Sequence, residues 1–464
     1  MTSQTSGVLE SEPDAFAHCY SWRVTDPPRL PSTPLRILHV AMEIGPWAVC
    51  GDVASFVEGL ATAQQKAGDR VTVVVPQHGC AAWPNWDTTR VQGGRAVLQL
   101  GDQEVSFELA RLRHPSGFEV IVVRSALFER AGIYCNPDTG SEWSDGLLRS
   151  SVLCHAALYY ALNAGGRWRV IHAHDWHGAL TCALLRRRFQ PTPLQHTRSV
   201  LTIHDPAFAG IHPLEDVPLS GLALREASEG GPLHCDGSFS ALKAGVHFAD
   251  AIHAVSPSHA QELGHSNHDG AVWDALRARA EAIRGVLGGV DLDAWNPATD
   301  PGLASSFSSK DPAGRASCRE DLVALSGLQS TPLIVGFAGH LLPEKGLDLL
   351  LEAIPNLVAE GVQFVIQGSG DPTLQEGFKS LQKEFPGQVW VSISEDSTLR
   401  RQVLAGLDVY CLPSRFEPSA LGAMRAQRFG ALPLVRRAGG LIDAVSEEVG
   451  FLFDADSSEA WSWE

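Results

Sequence analysis

WRVIHAHDWHGALTCALLRRR, residues 168–188, decides the fold. Its opening, WRVIHAH (168–174), is a short apolar run of strand length, and residues 178–188 follow with helical spacing. Polar residues gather at the junction, in HAHDWH (172–177). A strand that feeds a helix and turns polar at its carboxyl end is one βα unit of a parallel sheet, with its ligand side marked.

The same unit recurs on both sides. Toward the N-terminus, RILHVAM (36–42), RVTVVV (70–75) and FEVIVV (118–123) read as buried strands, and 55–67 reads as a helix stopped by Gly68. Toward the C-terminus, SVLTIH (199–204) and ADAIHAVS (249–256) complete a first set. A passage rich in Pro, Gly and Ser, DAWNPATDPGLASSFSSKDPAG (293–314), separates it from a second. There, strands at 333–339, 364–368, 389–393, 408–413, 432–435 and 451–453 alternate with helices at 347–360, 373–385, 398–405 and 420–429. The pattern predicts an α/β chain: a polar lead-in at 1–34, a Rossmann-like domain at 35–285 and a second at 286–464. Each is a doubly wound parallel sheet, and the two face each other across a ligand cleft.

Bulk properties narrow the function. The chain has 464 residues, 44% of them hydrophobic, and a formal net charge of -17. It has no long Lys/Arg run; Arg186, Arg187 and Arg188 read as a solvated helix end, so nucleic acid is not an expected partner. No apolar run reaches the ~18 residues of a membrane span. MTSQTSGVLESEPDAF has neither a signal core nor transit-peptide character, which points to the cytoplasm, with a plastid address upstream of Met1 left open. Nine cysteines without a CxxC pair argue against a disulfide framework and a zinc site. The absence of GxSxG and GxxxxGK[ST] argues against a hydrolase triad and a P-loop.

Five passages carry candidate chemistry. HAHDWH is either a sugar-site junction or a polar loop with one core histidine, and its spacing does not suit a metal. In LTIHDPAFAGIHP (201–213), His204 ends a strand, where an imidazole can donate to a sugar hydroxyl or serve as a core residue. Lys345, in GHLLPEKGLDLLL (339–351), precedes a helix start suited to phosphate. Glu417, in PSRFEPSALGAMRAQRFG (413–430), stands before a helix, where it can meet a sugar or complement the helix dipole. Gly439 and Gly440, in RRAGGLIDAV (436–445), either bring backbone amides to a phosphate or form an ordinary turn.

Together with HVAMEIGPW (39–47), ALKAGVHFAD (241–250), VSPSHAQEL (255–263) and GVLGGVDLDAWNPATD (285–300), these passages resemble the glycogen and starch synthases of glycosyltransferase family 5, in order, over roughly 36–456. The resemblance implies a GT-B fold. It implies transfer of glucose, with retention, from ADP-glucose to the 4-hydroxyl at the non-reducing end of an α-1,4-glucan, with no metal and no cofactor. It places His204 on the transferred glucose, Lys345 on the donor phosphates and Glu417 facing the donor sugar. Asp175 falls in the sugar-site loop, Gly51 and Asp52 at the N-terminal glycine loop, and Gly439, Gly440 and Leu441 at the pyrophosphate turn. The implied partners are the nucleotide sugar and the glucan; a homo-oligomer or association with another synthase is compatible.

The chain departs from the family in places that matter. AVCGDV (48–53) stands where the family has a longer loop with a lysine and two glycines. His340 replaces a phosphate-binding arginine, Asp205 follows His204 in place of Asn, Ser419–Ala420 replaces Cys–Gly, and 393–396 lacks the adenine-stacking aromatic. Each lost charge-assisted contact costs about 1.5–3 kcal/mol, and about 1.4 kcal/mol is tenfold in rate. Arg436 and Arg437 are the candidate replacement cations. The expected activity is therefore glucan extension from ADP-glucose. The alternatives are a catalytically weakened homologue that binds glucan or scaffolds initiation, and a retaining transferase with a changed donor. Family members usually continue past FLFDAD with helices that return to the first domain, so the second domain here is expected to be shortened.

Overall fold

The computed structural model describes residues 33–84, 89–329 and 333–454. Most of the lead-in at 1–34 and the last ten residues, 455–464, lie outside the described residues. The first half runs β1 (Arg36–Val40), α1 (Asp52–Lys66), β2 (Arg70–Pro76), β3 (Thr89–Leu100), β4 (Gln103–Arg113), β5 (Glu119–Arg124), α2 (Gly146–Asn163), β6 (Val170–His174), α3 (Asp175–Arg187) and β7 (Arg198–Ile203). It continues with β8 (Ile211–His212), β9 (His234–Cys235), β10 (Ser238–Ser240), α4 (Ala241–Phe248), β11 (Ala251–Ala254), α5 (Pro257–His265), α6 (Ala271–Ala278) and β12 (Ile283–Gly285). The second half runs α7 (Gly314–Ser326), β13 (Ile334–Ala338), α8 (Leu347–Ala359), β14 (Gln363–Gln367), α9 (Pro372–Glu384), β15 (Val389–Ser392) and α10 (Ser397–Gly406). It closes with β16 (Val409–Leu412), α11 (Leu421–Arg428), β17 (Leu432–Arg436), α12 (Leu441–Ala444) and β18 (Phe451–Phe453).

The described residues of the first half form a nine-stranded sheet in the order β12-β11-β7-β6-β1-β2-β5-β4-β3. It is parallel except where β4 pairs antiparallel with β5 and with β3. The second half forms a six-stranded parallel sheet, β15-β14-β13-β16-β17-β18. Strand order reverses at β1, between β6 and β2, and at β13, between β14 and β16. A doubly wound sheet opens its ligand crevice at such reversals, beyond the strands' carboxyl ends. In the first half the carboxyl ends there lead into 41–51, 175–177 and 204–205; in the second, into 339–345 and 413–417.

The apolar runs form these strands because both faces of each sheet are covered. In β13 every residue is buried, and in β2 all but Arg70. Trp168 stacks under the Arg36 guanidinium, 3.9 Å from its ring centre, and anchors the entry to β6.

Two local expectations differ from the structure. HAHDWH is not a loop: His172 and His174 end β6, and Asp175 starts α3 directly, at φ 51. The arginine trio is not merely solvated: Arg186 ion-pairs with Asp250, Arg187 with Glu226 at 3.2 Å, and Arg188 donates to the Gly221 carbonyl at 3.0 Å. The hairpin β3–β4 was not read at all, nor was the small sheet β8-β10-β9. Among the described residues no helix is long and apolar enough to cross a membrane.

Candidate active site

In the first half, β1 leads into the shortened loop. Glu43, 1% exposed, accepts hydrogen bonds from the backbone N–H groups of Cys50 (2.6 Å) and Gly51 (2.8 Å) and from the Tyr134 hydroxyl (2.6 Å). The loop's amides are thus turned onto a protein carboxylate. Burial pushes the Glu43 carboxyl up, against the hydrogen bonds that favour its charged form. Gly51 caps α1, and Asp52 occupies its first turn.

Beside it, Asp175 Oδ1 accepts from the backbone N–H of His204 (2.8 Å) and of Asp205 (3.4 Å), which ties the end of β7 to the start of α3. Burial raises the Asp175 carboxyl to about 7 despite those bonds. His204 stands edge-on to Phe56, with ring centres 4.9 Å apart. Burial drives its imidazole down to about 3, so the ring is neutral at physiological pH.

In the second half, β13 leads into His340 and a 3-10 turn ending at Lys345. Gly346 sits at φ 64, where a Cβ would come within 2.1 Å of the Pro413 carbonyl; only glycine lets the two loops meet. Lys345 Nζ lies 2.8 Å from Glu417 Oε2, and Ser414 Oγ donates to the same oxygen at 3.3 Å. Burial opposes the lysine's charge, but Glu417 and Asp52 outweigh it and hold Lys345 above its ordinary range. Glu417 is 3% exposed, so the pair is a desolvated one.

The glycine turn behaves differently from a free phosphate cradle. Gly439 donates to Glu262 Oε1 (3.1 Å), Gly440 to the Glu417 carbonyl (2.8 Å) and Leu441 to the Ala438 carbonyl (3.0 Å). A Cβ on Gly439 would lie 2.4 Å from the Glu417 carbonyl oxygen. The glycines therefore allow the turn to pack on the backbone that carries Glu417, and their amides are taken by protein acceptors.

The halves touch across the cleft. Arg425 Nη1 meets Asp52 Oδ1 at 3.2 Å, Ser258 donates to Asp443 through N–H (2.8 Å) and hydroxyl (3.1 Å), and His259 stands against Phe416. Partial desolvation of the half-exposed Asp52 carboxyl pushes it up, but Arg425, Lys345, His340 and Arg400 together bring it below its ordinary value. The Glu395 hydrogen bond raises the His340 imidazole against burial. Glu395 occupies the region where a stacking aromatic was missed: it lies 3.5 Å from His340 and 3.0 Å from Arg400, and accepts from Ser369.

Asp52, Asp175, His204, His340, Lys345 and Glu417 thus converge on one cleft, with Gly51 and the 439–441 turn at its walls. Of the two candidate replacement cations, Arg437 is engaged by other acids. Arg437 pairs with Glu447 (3.6 Å) and Asp454 (3.4 Å), whereas Arg400 and Arg425 point their charge at Asp52. Glu43, Arg400 and Arg425 were missed. Glu43 lies inside a quoted motif, HVAMEIGPW, and an acid between two apolar stretches was its only signal.

Among the described residues, His39, His172 and His174 bring ring nitrogens within 4.8 Å of one another. His39 Nδ1 and His174 Nε2 are 3.1 Å apart, and His172 Nε2 is 2.6 Å from the Thr202 hydroxyl, so these nitrogens are engaged in hydrogen bonds.

Two Rossmann-like halves whose strand reversals face each other over a cleft lined with paired charges define a GT-B glycosyltransferase. Residues 36–278 match the starch synthase catalytic domain, and 319–464 match glycosyl transferases group 1. The chain belongs to the glycogen and starch synthase family. It is 36% identical over 422 residues to a glycogen synthase of Anaeromyxobacter dehalogenans (strain 2CP-1), covering 90% of this chain and 86% of that one. It is 35% identical over 431 residues to one from Myxococcus xanthus (strain DK1622), covering 91% and 89%. The fold matches the catalytic domain of starch synthase IV from Arabidopsis thaliana, solved with ADP and acarbose, at a TM-score of 0.85 and 25% identity over 93% of this chain and 90% of that one. Sucrose-phosphate synthase from Thermosynechococcus elongatus shares the fold, at a TM-score of 0.57 and 17% identity over 92% and 88%. The chain is a hexosyltransferase of the glycogen and starch synthase type.

Proposed function

We propose that the protein extends α-1,4-glucan by transferring glucose from ADP-glucose, with retention, to the 4-hydroxyl of a non-reducing end. The bond from the anomeric carbon to the phosphate oxygen breaks, a bond to the acceptor O4 forms, the proton of that hydroxyl passes to the departing phosphate oxygen, and ADP leaves. Lys345 neutralises the leaving diphosphate, Glu417 faces the glucose from the same loop cluster, and His204 meets it from the opposite half. The observation that carries this reading is that Arg425, Lys345, His340 and Arg400 all act on Asp52, which gathers four cationic side chains beside the end of the shortened loop. Preorganised charge in a water-poor cleft is the largest single contributor to such catalysis. Donor and acceptor are the partners required, no cofactor is needed, and the cytoplasm is the compartment, in keeping with the free cysteines of the described residues.

The test supplies labelled ADP-glucose and glycogen to the native protein, Glu417→Ala and Lys345→Ala. Incorporation that both substitutions abolish supports the proposal. Glycogen binding without incorporation and without ADP-glucose affinity would establish a scaffold instead. Incorporation from UDP-glucose alone would establish a changed donor.

A further inference from the structure

Behind His204 a file of imidazoles runs through the sheet. His204 Nε2 lies 3.3 Å from His174 Nδ1; His174 Nε2 lies 3.1 Å from His39 Nδ1; His39 Nε2 lies 2.8 Å from Gln64 Oε1. The rings come from three adjacent strands: His39 from β1, His174 from the end of β6, and His204 from just beyond β7. The His39 and His174 ring planes are 24° apart. Gln64, on α1, is half-buried and lines a cavity of about 880 Å³ together with Phe56, His172 and His253. At the other end, Nδ1 of His204 has no hydrogen-bond partner among the described residues and is not sealed from solvent.

A neutral imidazole has one N–H and one bare nitrogen. In a file of neutral rings, each joined to the next through one nitrogen of each, fixing one proton fixes all of them. In the amide orientation of the structure Gln64 Oε1 faces His39 at 2.8 Å, so His39 Nε2 carries the proton and donates. His39 Nδ1 is then an acceptor, His174 donates to it through Nε2, and His204 donates to His174 through its own Nε2. This direction puts all three rings in the Nε2–H form, which a free neutral histidine side chain also favours. Hydrogen bonds in a chain polarise one another, so the direction is held cooperatively. All three rings lie in burial that disfavours charge, which keeps a second proton off the file.

We propose that Gln64, through His39 and His174, sets the tautomer of His204, so that His204 presents a bare Nδ1 to the cleft and accepts a hydrogen bond from a hydroxyl of the donor sugar. Gln64, His39 and His174 are positioning residues, none of which touches substrate. This goes beyond the identity of the sugar-facing histidine: it fixes the sense of its hydrogen bond as acceptor, opposite to the donor role its position suggests. It also requires the sugar group opposite to be a hydroxyl, because a ring or phosphate oxygen has no proton to give. The assignment of the cleft to a glucosyl donor rests on the function proposed above.

The test uses ring-15N-labelled histidine in the full chain, with His204 resonances assigned by their loss in His204→Gln. In the native protein His204 should show a protonated Nε2 and an unprotonated Nδ1. Gln64→Glu keeps an acceptor facing His39 and should keep that pattern. Gln64→Lys offers only donors and should invert it, placing the proton on Nδ1. Its kcat should fall about tenfold or more below that of Gln64→Glu, with the KM for ADP-glucose changed less. A merely structural role for Gln64 would lower the melting temperature of both variants and leave the tautomer alone. A protonated Nδ1 in the native protein, or the same tautomer in Gln64→Lys as in Gln64→Glu, would overturn the proposal. Should the chain transfer no glucose from ADP-glucose, the functional reading falls while the ring resonances still decide the relay.

Discussion

Asp52, in the first turn of α1, and Arg425, in the last turn of α11, lie 3.2 Å apart across the cleft although 373 positions separate them in sequence. The Asp52 side chain is half-exposed, so the ion pair alone contributes about 0.5–1 kcal/mol. The Arg425 guanidinium also lies 4.5 Å from the Trp295 ring centre, an interaction of about 0.5–2 kcal/mol. Arg425→Ala should therefore lower stability by about 1–2 kcal/mol in urea titration and raise the KM for ADP-glucose. Unchanged KM would mean that the pair does not help hold the cleft closed.

The Lys345–Glu417 pair is buried, and removing one partner of such a pair costs about 3–5 kcal/mol because the other charge is left uncompensated. Lys345→Met and Glu417→Gln should each melt earlier, and the double variant should melt later than their summed effects predict. All three should transfer glucose about 10²–10³-fold more slowly. A double variant with native turnover would remove both residues from the chemistry.

Asp175 gives a stability profile of unusual sign. Its folded carboxyl titrates near 7, above the ordinary 3.8, so the folded state holds a proton that the unfolded chain has lost. Stability from this group is present at low pH and is lost as pH rises between about 4 and 7. Subtracting the melting profile of Asp175→Asn should isolate that slope. A difference that is flat over this range would show that Asp175 is ionised throughout.

His340 is charged only below its raised pKa, whose main cause is the hydrogen bond it donates to Glu395. On the function proposed above, its contribution to holding the donor diphosphate is full in acid and fades as pH rises through that value. His340→Arg should abolish the fading, because guanidinium stays charged and offers a bidentate fork. Calorimetric titration with ADP at two pH values reads this directly. Equal pH dependence in both proteins would place His340 away from the phosphates.

The alternation of short apolar runs with helices was legible because both sheets are covered on both faces. The hairpin β3–β4 was not, because its strands are only partly buried and alternate polar with apolar residues at the sheet's edge. Strands β8, β9 and β10 are too short, at two or three residues, to show any period. In the site, His204 stood out just past the end of a strand, Lys345 just before a helix, and Glu417 in the loop that joins a strand to a helix. Arg425 did not, because nothing near it in sequence reveals that Asp52 waits on the other half. Glu43 was hidden for a similar reason: its partners are loop amides and a tyrosine 91 positions away.

The contacts of Ser258 with Asp443, and of Glu262 with Gly439, run between residues about 180 positions apart. A chimera that joins this N-terminal half to a relative's C-terminal half keeps two intact cores but inherits mismatched fasteners at the seam. Such hybrids should fold and yet fail to shut, so gene shuffling within this family will succeed only where both members of each seam pair travel together.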